Sequence, residues 1–461
     1  MGRINSKLDR LIKGYSRNQP IFGVYWDKSS SPTLIRTHDS EGMIANAGIG
    51  SQRVKNNFDK VPIFGDIGEA IDTYDNVFMQ IPKLYFCKHI GKDFIWWGIT
   101  NKPLLGFYLP HVFWDFENNK ELDWFYVAKY KGSYTTDPFR MESKAGRVPG
   151  TNQTIVDNRT RARANNNAGA GIKGYQLLDV HTIDIIRTLM FIEFATLNMQ
   201  SVMMGYVNGR DSADDKITVA TTTENFLVVS NATASHFVTG QTISVHANDF
   251  TELWHVPDRF QGRTITNIED IDDGNSRIHF DGTPVTTEVD DVIINTGFVN
   301  GFSKNIFASS GSIVSNTTGK FPCMYRGIES PYGDMWQWVD GVNITDRQVW
   351  VAKNAEDYAS NVFASPYEQL GYVNSSANGF VREMGFDGNH PYGEFPIATT
   401  GASDSTFYAD NYWQSEGSRV ARFGGIWRSG SDAGVSCWHL AATSSSATLH
   451  SGSRLVKKFP F

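Results

Sequence analysis

The sequence predicts a β-rich α+β fold, and three observations predict it. Short aromatic and β-branched runs recur between turn residues, as in Phe22-Gly-Val-Tyr-Trp and Phe94-Ile-Trp-Trp-Gly-Ile. Such runs suit pleated, half-buried surfaces bounded by tight turns. A clear helical period occurs at Thr182 to Asn198, where Ile183, Ile186, Met190, Phe194 and Leu197 fall on one face. Aromatics reach 13% and glycines number 42, a mixture that favours many short strands over long helices.

Taken in order, residues 1–20 predict an amphipathic helix, with Ile4, Leu8, Leu11 and Ile12 at helical spacing among charges. It does not resemble an apolar signal segment. A stripe that narrow must dock, either on its own chain or on a neighbour. Residues 21–123 read as a β-rich region for attachment and assembly. Within it lie a strand–turn–strand unit around Lys28 to Pro32 and a β run from Val77 to Phe107. Residues 124–215 open with a strand at Trp124 to Tyr130. A long polar loop follows, Gly132 to Gly174, and then the helix, for which Thr182 is the expected N-cap and Asp184 complements the dipole.

Residues 216–299 change character. Six short runs, beginning at Ile217, Phe226, Thr242, Thr264, Arg277 and Asp291, predict an inserted small β-sandwich or barrel. Asp270, Asp272 and Asp273 sit in one of its turns without EF-hand spacing, and read as an acidic turn. Residues 300–461 return to aromatic, Gly-rich strands and turns.

Composition narrows the chemistry. A net charge of -7 and the lack of a basic run give no nucleic-acid footprint. Arg159, Arg161 and Arg163 read as part of a solvated loop. The 3 cysteines, Cys87, Cys323 and Cys437, are far apart, so neither a disulfide framework nor a Cys-based zinc site is expected. They suit a reducing cytoplasm as the place of synthesis. No apolar run is long enough to span a bilayer.

Several motifs then occur in order. Tyr325-Arg-Gly-Ile-Glu-Ser-Pro-Tyr-Gly-Asp-Met-Trp-Gln-Trp-Val-Asp-Gly resembles the central core of the formylglycine-generating-enzyme-like branch of C-type lectins. Phe423-Gly-Gly-Ile-Trp-Arg-Ser-Gly-Ser-Asp-Ala-Gly-Val is similar to that fold's "GG-x-W" motif, and Gly452-Ser-Arg-Leu to its closing strand. Tyr130-Lys-Gly-Ser, Ser143 to Pro149 and Gly174 to Asp179 fit the early part. The order matches phage tail proteins with this fold, including tropism determinants diversified by retroelements. The resemblance covers roughly half the chain. It implies a C-type-lectin-like domain interrupted by the β insertion, and a phage tail or prophage receptor-binding protein located in the virion tail. Its implied partners are a host-surface glycan or protein, other tail proteins and two further copies in a homotrimer.

Most motif residues read as scaffold. Trp336 and Trp338 share one strand face and, with Tyr332 and Trp350, are expected to form an aromatic core. Arg454 is expected to anchor the terminal strand, and Glu329 and Asp334 to tie loops to backbone amides. The catalytic relatives use a copper-binding cysteine pair or an iron-binding histidine cluster, and neither pattern is present. No enzymatic activity, cofactor or metal is therefore expected. Asp387, Glu394, Asp404, Asp410 and Glu416 supply carboxylates for a glycan-cleaving alternative, but no spacing singles out a pair. A structural tail subunit is the other alternative. The expected ligand contacts are Tyr408, Tyr412, Trp413, Arg428, Ser429, Ser431, Asp432, Trp438, His439, Thr443, Ser445 and Thr448, a Tyr, Trp and hydroxyl chemistry suited to adaptable recognition. The strand around Trp438 can turn only one face to solvent, so Trp438 reads equally as core.

Overall fold

The computed structural model describes Leu8 and residues 19–249, 251, 256–272, 274–388 and 390–460. The expected N-terminal helix thus lies almost wholly outside the described residues. Leu8 is buried with Ile21, Phe94, Trp96 and Leu104. Among the described residues 39% are strand and 12% helix, so the chain is β-rich α+β. No described helix is long and apolar enough to cross a membrane.

Ile21–Trp26 pairs antiparallel with Ile35–His38 on one side and Ile95–Thr100 on the other, and Tyr85–Ile90 completes the sheet. The chain changes sheets at Pro82. Val77–Pro82 belongs to a second sheet, ordered Tyr175–Leu177, Leu455–Lys457, Trp124–Ala128, Val77–Pro82 and Gly68–Ile71. The sequence draws a boundary between residues 123 and 124, but this sheet runs across it. An eight-stranded sheet holds Trp336–Thr345 near its middle, with Ser418–Phe423, Trp438–Ala442 and Asn411–Gln414 following on one side.

The six runs of the insertion are all strands of one sheet, from Ile217–Val219 to Val292–Phe298. The first and last meet at a Lys216–Val292 bridge, where Ile217 donates its amide to the Asp291 carbonyl at 2.9 Å. The sheet therefore closes into a small barrel around Leu227, Val229, Ile243, Val245, Ile278 and Ile293. Closure removes the exposed edges that six short strands would otherwise present. In the acidic turn, Asp272 accepts amides from Gly274 and Asn275, both at 2.8 Å.

Two helices pack on this framework. α1 (Ile155–Arg163) lies inside the stretch expected to be a loop. Its capping box is complete: Thr154 accepts the Asp157 amide and Asp157 accepts that of Thr154. No apolar period betrays it, because its buried face carries Asn158, Arg159 and Arg161. The arginines are not solvated. Arg159 grips Asp340 through two bonds of 2.6 and 2.8 Å, and Arg161 lies 3.5 Å from the Phe139 ring centroid.

α2 (Val180–Phe194) begins earlier than expected, with Asp179 rather than Thr182 as N-cap, and stops at Ala195 in a left-handed conformation. It is buried on nearly all sides, so its charges need partners. Asp184 does not act through the helix dipole alone. It bonds Lys88 at 2.5 Å and Arg187 at 2.9 Å, while Glu394 bonds Arg187 at 2.9 Å and lies 3.3 Å from Lys88. These four groups join the first sheet, α2 and the His390–Ala398 strand. At the far end of α2, Glu193 takes two 2.7 Å bonds from Arg326.

The expected shared aromatic core does not form. Tyr332 joins the largest core, Trp338 packs with Phe78 and Tyr126, Trp336 with Tyr206 and Trp427, and Trp350 with Tyr358 and Tyr367. Trp336 and Trp338 do share a face, and the Arg422 guanidinium lies over both rings. Glu329 ties down the Gly301 and Ser303 amides, and Asp334 accepts that of Phe298.

Arg454 is 1% exposed and meets no carboxylate at bonding distance among the described residues. It donates to the carbonyls of Ala128, Lys129, Glu329 and Ser330 and to Oε1 of Gln337. Arg454→Met should strand those buried acceptors and lower the unfolding free energy by roughly 3–5 kcal/mol. Arg454→Lys, with three donors and no planar fork, should fall between. Chemical denaturation of the two variants checks this order.

Candidate ligand-contact surface

The eight-stranded sheet decides which expected contacts reach solvent. Tyr412, Trp438 and Phe423 lie side by side in register, as do Trp413, His439 and Arg422 one position along. Strand parity sends these two rows to opposite faces. The first row packs into the main core, where the Trp438 ring lies 4.9 Å from that of Phe395. Tyr408, Tyr412 and Trp438 are each 0% exposed. These three expected contacts are core residues, because the strand Glu383–Asp387 and its partner His390–Ala398 cover that face.

The second row builds a shelf. Trp413 is half-buried and meets Trp336 edge-on at 5.7 Å, and His439 lies 5.4 Å from Trp336 and 6.1 Å from Trp413. Beneath it Arg422 donates to Ser451 at 2.8 Å and contacts the His439 ring. Burial lowers the Arg422 pKa to about 10, and among the described residues no carboxylate pairs with it. Sequence reasoning missed Arg422, whose only signal is its place beside Phe423 in the motif.

Around the shelf, turns display the remaining residues. Arg428 is exposed and pairs with Asp211 at 2.9 Å. Ser429 is half-buried and spends its hydroxyl oxygen on the Ile426 amide. Ser431 is exposed, and Asp432 accepts from Asn411 at 2.8 Å. In the next turn Thr443 bonds Ser445 and Ser446, and Thr448 bonds Ser451. Of these, Ser445 is exposed and Thr443 and Thr448 are half-buried. Gly434 makes the first turn possible. Its φ is 155°, and a Cβ there would lie 2.0 Å from Oδ1 of the buried Asp410.

Three of the carboxylates considered for glycan cleavage are already engaged or enclosed. Glu394 is locked in the four-charge network, Asp410 is buried behind Gly434, and Glu416 pairs with Arg347 at 3.2 Å. Among the described residues no group of three His, Cys, Asp or Glu side chains is placed to hold a metal ion. A scan against family models matched none, and a search of curated proteins found no similar sequence.

Desolvation, with Arg422 nearby, lowers the His439 pKa to about 3, and desolvation with Arg428 and Arg422 does the same for His450. A folded-state pKa below the unfolded value of 6.5 gives stability that is present above 6.5 and lost as pH falls toward 3. Thermal melts should therefore fall across that window. His439→Gln should flatten the slope while leaving neutral-pH stability nearly unchanged.

Proposed function

We propose that this chain is a phage tail or prophage receptor-binding protein whose C-terminal region is a C-type-lectin-like domain. One observation carries the reading: Trp413, half-buried on the strand Asn411–Gln414, and Arg428, Ser431 and Ser445, exposed on the turns beside it, stand on a scaffold in which Trp427, Gly434 and Trp438 are buried. Rigid support with a mixed aromatic and hydroxyl surface suits recognition of a sugar or a protein epitope at low entropic cost. Function here is adsorption to a host-surface glycan or protein, with no bond made or broken. The protein acts in the virion tail beside other tail proteins. Display as a homotrimer would multiply a weak single-site contact.

Fluorescently labelled protein should stain host cells without releasing reducing sugar. Trp413→Ala combined with Arg428→Ala should reduce staining about tenfold or more in protein that still folds by circular dichroism, as expected when a contact centre is truncated. Release of sugar that ceases on replacing a carboxylate would instead make the protein a glycan-cleaving tail enzyme. Firm incorporation into tails with no staining of any host would make it a structural subunit.

A further inference from the structure

The segment that leads into the barrel, residues 206–211, is bonded along the turn that carries Arg428. The Gly209 amide donates to the Trp427 carbonyl at 2.5 Å, and the Gly430 amide donates to that of Val207 at 2.9 Å. Arg428 sits between those two bonds. One step further in, the Asp334 amide donates to the Tyr206 carbonyl at 2.7 Å, and the Trp427 amide to that of Asp334 at 3.0 Å. The approach is close enough to need a glycine. A Cβ on Gly209 would lie 2.5 Å from the Tyr206 hydroxyl oxygen and 3.2 Å from the Trp427 Cβ. The turn is therefore held by a piece of chain far from it in sequence, and that piece is the barrel's own entrance.

Asp211 continues the contact with charge. Its carboxylate lies 2.9 Å from the Arg428 guanidinium, and its side chain is 4% exposed against 41% for the arginine. A pair with both partners in water contributes little. Here the carboxylate is enclosed, so water cannot stand in for the arginine. Among the described residues its second oxygen, Oδ1, has no hydrogen-bond partner. Desolvation raises the Asp211 pKa against the pull of Arg428 and His246. Pairing at one point orders a long side chain whose rotamers would otherwise be ordered only when a ligand arrives. A guanidinium has five donors, so one bond to Asp211 leaves others for that ligand. The barrel grips the same segment from its other side. The Asn295 amide donates to the Arg210 carbonyl at 3.2 Å, and Arg210 and His236 meet the buried Asp215 at 2.9 and 2.7 Å.

We propose that the barrel serves the contact surface: it holds its entry segment against the turn, and Asp211 is the residue that positions Arg428 for the ligand. This rests on the reading of that surface as the host contact. Limited trypsin digestion of the full chain reads the positioning with no host present, because cleavage after Arg428 requires the turn to open locally. Asp211→Asn, nearly isosteric, should speed that cleavage about fivefold in protein that still folds by circular dichroism, the upper scale for a part-exposed ion pair. Asp211→Glu, which keeps the charge, should stay near the wild-type rate. On host cells Asp211→Asn should lower staining about fivefold. Added to Arg428→Ala it should cost nothing beyond Arg428→Ala alone, a coupling that a general loss of stability does not produce. Unchanged cleavage in folded Asp211→Asn, or a further loss of staining in the Arg428→Ala background, would overturn the proposal. Faster cleavage of a protein that stains no host supports the positioning and overturns the host-contact reading alone. If Asp211→Asn does not fold, Asp211→Ala decides by the same two readings.

Discussion

One buried guanidinium gathers the two halves of the C-terminal region. Arg454 enters the core on the final strand and spends its five donors on segments far apart in sequence: Ala128 and Lys129, Glu329 and Ser330, and Gln337. Desolvation lowers its pKa to about 10 against the pull of the Glu329 and Asp334 carboxylates nearby, and the carbonyl dipoles hold the charge in place of water. Because Leu455–Lys457 lies between Trp124–Ala128 and Tyr175–Leu177, that sheet is complete only when strands more than 270 residues apart have met. The motif strand Trp336–Thr345 is held to the same point. The surface around Trp413 therefore hangs on contacts of very long sequence separation, which also predicts slow folding.

The same logic recurs around α2. An almost wholly buried helix with Asp184, Arg187 and Glu193 would be unstable if any of these charges were left unpaired. Lys88, Glu394 and Arg326 supply the partners from three other parts of the chain. The result orients the N-terminal sheet on the C-terminal one through directional bonds, where apolar contact alone would leave the angle loosely set.

Legibility in the sequence followed the source of each element's stability. The six barrel strands were visible because their apolar runs themselves form the barrel core. α1 was invisible because Arg159 and Arg161 bury against Asp340, Phe139 and Tyr134, partners that no local window contains. The Arg454 anchor was legible through its motif, but its acceptors were not. For the expected contacts, the sequence pattern shows strands but not which face of each is covered. Tyr412 and Trp438 look as available as Trp413 and His439 until Phe395 is placed against the Trp438 ring and both join the core.

The barrel has a consequence for how such chains diversify. The chain enters the barrel past Arg210, whose carbonyl accepts the amide of Asn295 in the barrel's last strand at 3.2 Å. Departure and return points one hydrogen bond apart make the barrel a cassette. A short turn or an unrelated module could occupy the same junction without moving the strands on either side, and the surface around Trp413 could persist while its neighbour is exchanged.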